Sequence, residues 1–177
     1  MPSLYIHFPF CLRKCSYCAF YSDTHCAEIP LFLECLHKEL RLRADELSGQ
    51  PLDSLYFGGG TPSLLPPAEI GRLAALAERL FGLSPGTEIT LEANPNQLND
   101  DYLRALRETP VNRLSIGVQS LSDAVLKRIG RLHTAAQAEE ALALAVKHGF
   151  RNLSADLIYG LPGNTQAQWE RDVRRLA

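Results

Sequence analysis

Three of the chain's five cysteines lie within eight consecutive positions, in the segment CLRKCSYC. Cys11, Cys15 and Cys18 are spaced as C-x3-C-x2-C. Clustered cysteines form disulfides, bind structural zinc or hold an iron–sulfur cluster. A four-iron cube held by only three thiolates leaves one iron free to bind another group, whereas structural zinc requires a closed tetrahedron of ligands. The spacing by itself leaves these three kinds of site open.

Length and composition argue against the disulfides. The chain has 177 residues, 46% of them hydrophobic and 21% charged, which is typical of one globular domain. Its first ten residues, MPSLYIHFPF, lack the basic stretch and long apolar run of a secretory signal. We therefore expect a reducing, cytoplasmic setting, in which clustered cysteines more often bind metal or do redox chemistry. The net charge of −2 does not favour a nucleic-acid partner, and no apolar run predicts a membrane segment.

A fourth ligand for a metal site could come from Cys26, His7 or His25. We favour a simpler interpretation of the two remaining cysteines. Cys26 is predicted to be a free loop thiol, and Cys35 a small packed side chain inside a helix, because cysteine is commonly buried as a hydrophobic residue.

Short apolar segments alternate with helical patterns along the chain. Strands are predicted at SLYI (3–6), SLYF (54–57), EITLE (88–92), RLSIGV (113–118) and NLSADLIY (152–159). Helical spacing is shown by Leu33, Leu36, Leu40, Ala44 and Leu47, and by Ile70, Leu73, Ala77 and Leu80 after Pro66 and Pro67. Further helices are predicted after the capping candidates Asn99, Asp100 and Asp101, before Gly149, and after Thr165.

This alternation predicts an α/β fold with a parallel sheet, either open and doubly wound or closed into a full or partial barrel. Both architectures bind ligands at the carboxyl ends of the strands. The unusual residues do follow the strands: the cysteine loop, GGGTP (58–62), Glu92 with Asn94 and Pro95, Gln119, and Asp156 with Tyr159, Gly160 and Pro162. We therefore predict a single site built from all five loops.

The residues at this rim permit more than one interpretation. GGGTP predicts a tight turn, and its glycines would also let a ligand approach the main chain. It matches neither GxxxxGK[ST] nor GxGxxG, so a phosphate or dinucleotide cradle is not predicted. Glu92 could bind an amine or a ribose hydroxyl, or be a solvated or ion-paired group. Asp156 interrupts an apolar strand and needs a partner, for which Arg131 is the candidate.

Together these segments resemble a known family. CLRKCSYC resembles the signature of radical S-adenosylmethionine (SAM) enzymes. LYIHFPFC, YFGGGTPSLL, EANP, RLSIGVQS, GRLH and DLIYGLPG extend the match to the group of oxygen-independent coproporphyrinogen dehydrogenases and related heme chaperones. The resemblance runs from Ser3 to about Trp169. It implies a partial parallel (β/α) barrel with five of its six β/α units within residues 1–177, so we expect a radical SAM core truncated at its C-terminal end.

The resemblance also implies the site. Cys11, Cys15 and Cys18 would hold a [4Fe-4S] cluster whose fourth iron is chelated by the amino and carboxylate groups of SAM. The implied SAM-binding residues are Tyr5, Tyr17, Gly59, Gly60, Thr61, Glu92, Gln119, Arg131 and Asp156. Gly59, Gly60 and Thr61 would act through the backbone. In this family an electron donor reduces the cluster, which cleaves SAM to a 5'-deoxyadenosyl radical. His133, in the GRLH match, either belongs to the site or is a packed or surface histidine.

One departure from the family pattern bears on function. The dehydrogenases carry a further cysteine two positions after the last cluster cysteine, where this chain has Phe20, as the chaperone-like branch does. The resemblance therefore implies a heme chaperone that binds heme and delivers it to an acceptor protein. The alternatives are oxidative decarboxylation of coproporphyrinogen III to protoporphyrinogen IX, and an iron–sulfur electron-transfer module. The module is disfavoured because its cluster should be fully ligated by protein.

Overall fold

A computed structural model describes residues 2–177 of the chain. Within these residues the strands are β1 (Ser3–Phe8), β2 (Leu52–Gly59), β3 (Leu83–Ala93), β4 (Arg113–Gln119) and β5 (Asn152–Leu157). The helices are α1 (Ile29–Leu42), α2 (Pro67–Phe81), α3 (Asp100–Arg107), α4 (Asp123–Arg128), α5 (Ala135–Lys147) and α6 (Gln166–Leu176). Short 3-10 turns lie at Cys26–Glu28, Pro62–Leu64 and Pro95–Gln97.

The five strands form one parallel sheet in the order β1-β2-β3-β4-β5. A doubly wound sheet reverses its strand order at a switch point, whereas a barrel adds each strand beside the preceding one. The sequential order therefore confirms the α/β partial barrel. It also brings the carboxyl ends of all five strands to one rim.

The core lies between the sheet and the helices that cover it. Leu55 and Phe57 of β2, Leu91 of β3 and Leu114 of β4 are fully buried. In α2, the apolar positions that predicted the helix face this core, and Ile70, Leu73 and Ala77 have almost no exposed surface. A sheet covered in this way is held rigidly enough to position loops at its rim.

The structure corrects two predictions for α1. The apolar spacing predicted a helix through Leu47, but α1 ends at Leu42 and the chain continues in turns. It reverses at Ser48 (φ 50°) and Gly49 (φ 78°), while Leu47 still packs against the core. The helical spacing of apolar residues continues past the end of α1 because the turns keep Leu47 on the side that packs against the core. Cys35 was predicted to be packed, but it lies on the exposed face of α1.

Helix caps were predicted more accurately than helix ends. Asn99 and Thr165 cap α3 and α6 by accepting hydrogen bonds from the backbone of Tyr102 and Gln168. β5 ends at Leu157, two residues before the predicted end, and α4 was not predicted because six residues show too little periodicity.

In residues 2–177 no helix has the length and apolar character needed to cross a membrane.

Candidate functional site

A cavity of about 320 Å³ opens at the carboxyl ends of the strands. Its lining includes Cys11, Cys15, Cys18, Tyr17, Gly59, Gly60, Thr61, Glu92, Gln119, Arg131 and Asp156. These are all the predicted site residues except Tyr5, which is 53% exposed and stacks on Tyr56 with ring centroids 5.8 Å apart. The parallel sheet has thus brought residues from five separate loops to one place.

The cysteine loop is anchored at its base and in its middle. The Cys11 N–H donates to the Asp23 carbonyl at 2.8 Å, and the Asp23 N–H donates to the Pro9 carbonyl at 2.6 Å, which closes the loop. On the other side the Ser16 N–H donates to the carbonyl of Ile129, just after α4, at 3.1 Å. All three cysteines are free thiols. The unpredicted helix α4 therefore helps to hold this loop.

The three candidate fourth ligands are engaged elsewhere and do not line the cavity. Cys26 Sγ lies 3.7 Å from the Cys11 carbonyl oxygen, His7 Nε2 lies 3.0 Å from the Tyr21 carbonyl oxygen, and His25 Nδ1 lies 2.6 Å from Asp23 Oδ1. Cys26 is a half-buried side chain of a 3-10 turn that packs against the core. Across residues 2–177, no three His, Cys, Asp or Glu side chains converge on one metal position.

The GGGTP loop owes its glycines to close packing against the protein itself. A Cβ on Gly59 would lie 2.7 Å from the His7 ring, and one on Gly60 would lie 2.6 Å from the Phe10 carbonyl oxygen. The N–H groups of Gly60 and Thr61 donate to the carbonyls of Phe8 and Phe10 at 2.7 and 2.8 Å. These amides are therefore in use, and a ligand meeting this backbone would find its carbonyl oxygens.

Glu92 fastens this loop to β3. Its Oε1 accepts from the Tyr56 hydroxyl at 2.8 Å, and its Oε2 accepts from the Gly59 N–H at 3.0 Å. Burial, reinforced by the hydrogen bond to Glu92, raises the pKa of Tyr56 to about 12. A carboxylate has about four acceptor positions, so Glu92 can still accept a hydrogen bond from a ligand in the cavity.

The structure corrects the predicted pairing of Arg131 with Asp156. Arg131 Nη2 donates to Asn94 Oδ1 at 2.6 Å and to the Gly117 carbonyl at 2.5 Å, while Nη1 lies 4.0 Å from Cys15 Sγ. Asp156 instead accepts from Ser115 Oγ at 2.8 Å. The prediction failed because β5 is at the edge of the sheet, where the Asp156 carboxylate is exposed and solvated without an ion pair.

Two other rim residues have unusual environments. Gln119 ends β4 in a left-handed conformation with φ 68°, next to an irregularity in its pairing with β5. His133 is only 3% exposed, and its Nε2 lies 3.0 Å from the Val118 carbonyl, so Nε2 must carry the proton. Burial, with the nearby Arg131 charge, lowers the pKa of His133 to about 4. His133 is thus a packed neutral residue behind the cavity.

The sequence analysis placed Asn94 at the rim without a role, and it left out Ser115 and Gly117. Asn94 joins Arg131 to the GGGTP loop, because its Nδ2 donates to Thr61 Oγ1 at 3.1 Å. Ser115 and Gly117 line the cavity, and a Cβ on Gly117 would lie 2.8 Å from Gln119 Nε2. The strand period of two could have identified this pair, since both face the same side of β4 as Gln119.

The donor set fits an iron–sulfur cluster with a ligand beside it. Three free thiols open into the cavity, and the Thr61 hydroxyl donates to Cys11 Sγ at 3.4 Å. Burial raises the pKa of the Cys11 thiol, and the hydrogen bond from Thr61 opposes this effect. Partial burial raises the pKa of Tyr17 to about 12, although the nearby charge of Arg131 acts to lower it. Arg131 Nε is buried without a hydrogen-bond partner.

Comparison with known proteins identifies the family of this chain. A family profile described as Radical SAM superfamily matches residues 5–176. The chain is 39% identical over 175 residues to heme chaperone HemW of Lactococcus lactis, covering 98% of this chain and 45% of that protein. It is also 39% identical over 175 residues to heme chaperone HemW of Escherichia coli, covering 98% and 46%.

A solved structure shares the fold. Coproporphyrinogen III oxidase (HemN) from Escherichia coli, described as a radical SAM enzyme, matches with a TM-score of 0.88 and 33% identity over 98% of this chain and 40% of that one. The chain thus spans less than half the length of these relatives. The profile match over almost the whole chain shows that it belongs to the radical SAM superfamily.

Proposed function

We propose that this chain is the cluster- and SAM-binding core of a heme chaperone. The observation that carries the proposal is the cavity, which gathers three free thiols and the ends of all five strands. Cys11, Cys15 and Cys18 would hold the [4Fe-4S] cluster. Glu92, Gln119, Arg131 and Asp156 would bind SAM with Tyr17, with Tyr5 at the margin and with the backbone of Gly59, Gly60 and Thr61.

The protein's own residues would bind and orient this cofactor pair. Glu92 and Arg131 put a negative and a positive charge on the cavity wall, which suits the amino and carboxylate groups of an amino acid. Thiolates leave one iron open only if no fourth protein ligand competes, and Cys26, His7 and His25 are held away from the cavity. When bound, the cluster and SAM supply one-electron chemistry.

Phe20 favours the chaperone over the oxidase. It lines the cavity and is 67% exposed, at the position where the dehydrogenase pattern requires a further cysteine. Relatives named heme chaperone are 39% identical to this chain, which supports heme as cargo and a heme-accepting protein as partner. Coproporphyrinogen III oxidation is the second candidate, favoured by the structural match to the oxidase.

The cluster assignment is tested by anaerobic reconstitution with iron and sulfide. We expect Cys11→Ala, Cys15→Ala and Cys18→Ala each to abolish the air-sensitive brown chromophore, because each removes a ligand. Cys35→Ala is the matched control, since Cys35 is exposed on α1, and Cys26→Ala should also retain the cluster. Loss of the cluster in Cys26→Ala, as complete as in Cys15→Ala, would refute the open-iron arrangement.

The two functions are separated with the reconstituted protein, SAM and an electron donor. If the protein is a chaperone, its full-length form should bind heme and pass it to an apo-heme protein, while forming no protoporphyrinogen IX from coproporphyrinogen III. Protoporphyrinogen formation above a cluster-free control would establish the oxidase instead. A stable cluster without affinity for SAM would indicate an electron-transfer module.

A further inference from the structure

A chain of hydrogen bonds leads from Arg131 to the sulfur of Cys11, and its direction is fixed at its first member. A guanidinium carries five N–H donors and no acceptor. The atom of Asn94 that faces Arg131 Nη2 at 2.6 Å must therefore be its carbonyl oxygen, Oδ1. This leaves the amide nitrogen of Asn94, which can only donate, facing Thr61.

Thr61 continues the chain in the same direction. The Asn94 Nδ2 group donates to Thr61 Oγ1 at 3.1 Å, so this oxygen serves as the acceptor. A hydroxyl has a single proton, and Thr61 directs it to Cys11 Sγ at 3.4 Å. Thr61 is only 4% exposed, so water does not compete for this proton. The polar groups between Arg131 and Cys11 thus have one consistent arrangement, which ends in a hydrogen bond donated to sulfur.

We infer that Asn94 and Thr61 are positioning residues that direct a hydrogen bond to the Cys11 sulfur and so raise the reduction potential of the cluster it holds. Reduction adds negative charge to a cluster and its thiolates, and a donor to sulfur stabilises that charge. The inference rests on the cluster in the proposed function. It gives the Thr61 hydroxyl a role separate from the backbone contact expected for this residue, and assigns a role to Asn94.

The test measures the reduction potential of the cluster by an electron paramagnetic resonance titration of the reconstituted chain without SAM. Thr61→Val replaces the hydroxyl by a methyl group of similar size, and we expect the equilibrium constant for reduction to fall about tenfold. Thr61→Ser keeps the hydroxyl and should restore most of the potential. Thr87→Val removes another buried hydroxyl, which bonds to the Leu52 and Ser84 carbonyls, and should leave the potential unchanged.

Asn94→Asp supplies a second, independent variant. A carboxylate still accepts from Arg131, but its other oxygen cannot donate, so Thr61 must turn its proton toward the carboxylate and away from Cys11. The potential should fall, and adding Thr61→Val to Asn94→Asp should lower it no further. Such non-additivity is the signature of residues that act through one chain of contacts.

The outcomes separate the two proposals. Iron and sulfide content equal to wild type in every variant shows that the cluster itself is retained. A cluster whose potential is unchanged in Thr61→Val, or whose shifts in the double variant are simply additive, overturns the relay and leaves the proposed function standing. A wild-type chain that binds no cluster overturns both.

Discussion

Two sets of cavity residues differ in how completely their side chains are fixed before any ligand arrives. One set, the bonded wall, consists of Gly59, Thr61, Glu92, Asn94 and Arg131. Its members hydrogen-bond to one another or to the loops beside them, and both oxygens of Glu92 already have donors. The other set, the open wall, consists of Tyr17, Phe20, Gln119 and Asp156, of which Tyr17 and Phe20 are 38% and 67% exposed.

This difference determines what each set of residues loses in conformational freedom when a ligand binds. A wall whose side chains are already fixed loses little conformational freedom when a ligand binds, whereas exposed side chains must be ordered at that moment. Substitutions in the bonded wall should therefore reduce folding stability, while substitutions that remove side chains of the open wall should reduce affinity without reducing stability. Variants at Glu92, Asp156 and Gln119 test this division, and the pH dependence of stability tests His133 behind the bonded wall.

The largest effect on stability is expected for Glu92→Ala. It removes the acceptor for the Tyr56 hydroxyl and for the Gly59 N–H, and leaving part-buried donors unsatisfied should lower the free energy of unfolding by about 2–4 kcal/mol. Asp156→Ala, in the open wall, should change it by less than about 0.5 kcal/mol. Urea unfolding of the metal-free proteins measures both values.

Glu92→Gln is the control for charge. A glutamine can accept from the Gly59 N–H with its oxygen and donate to the Tyr56 oxygen with its nitrogen, so most of the stability should return. If Glu92→Ala and Asp156→Ala had equal effects on unfolding, the distinction between the two walls would be wrong.

The next effect is a pH dependence from His133, which packs behind the bonded wall. The unfolded chain protonates this histidine below about pH 6.5, whereas the pKa of about 4 keeps it neutral in the folded protein. The unfolded state therefore binds more protons between these values, and stability falls as the pH is lowered through that window. Between pH 7 and pH 4.5 we expect His133 to account for a loss of about 2 kcal/mol.

The measurement compares wild type with His133→Gln by urea unfolding across this pH range. Carboxylates titrate in both proteins and cancel in the difference, while glutamine does not titrate and can still donate to the Val118 carbonyl. The gap between the two stability curves should change by about 2 kcal/mol toward low pH. Parallel curves would mean that His133 is accessible to protons in the folded state.

The sequence predicted where the site lies better than how its residues pair. Five strands and a parallel sheet suffice to place Cys15, Glu92 and Asp156 on one rim, because every parallel strand ends there. Partners depend on side-chain direction and on distant loops. Arg131 follows α4, too short to be predicted, and this position carries it to Asn94 instead of Asp156. The periodicity of the sequence could not show that Arg131 contacts Asn94 or that Asp156 contacts Ser115.

The smallest effect concerns Gln119, the strained member of the open wall. Its left-handed backbone, with φ 68°, costs a non-glycine residue about 1–2 kcal/mol. Glycine would remove this strain, but it would also increase the conformational entropy of the unfolded chain, which offsets part of the gain in stability. Gln119→Gly should therefore raise the free energy of unfolding by about 0.5–1 kcal/mol. Strain of this kind persists where the surrounding structure enforces it, often at binding sites.

Ser48→Gly is the matched control, because Ser48 is the other described non-glycine residue with a positive φ and lies in the turn after α1, away from the cavity. Both variants should gain stability, but only Gln119→Gly should weaken SAM binding to the reconstituted protein, measured by calorimetry. Equal SAM affinity in both variants would show that the Gln119 side chain takes no part in the site. A loss of stability in Gln119→Gly would show that its packing over Gly117 outweighs the backbone strain, and the open wall would then extend no further than Tyr17, Phe20 and Asp156.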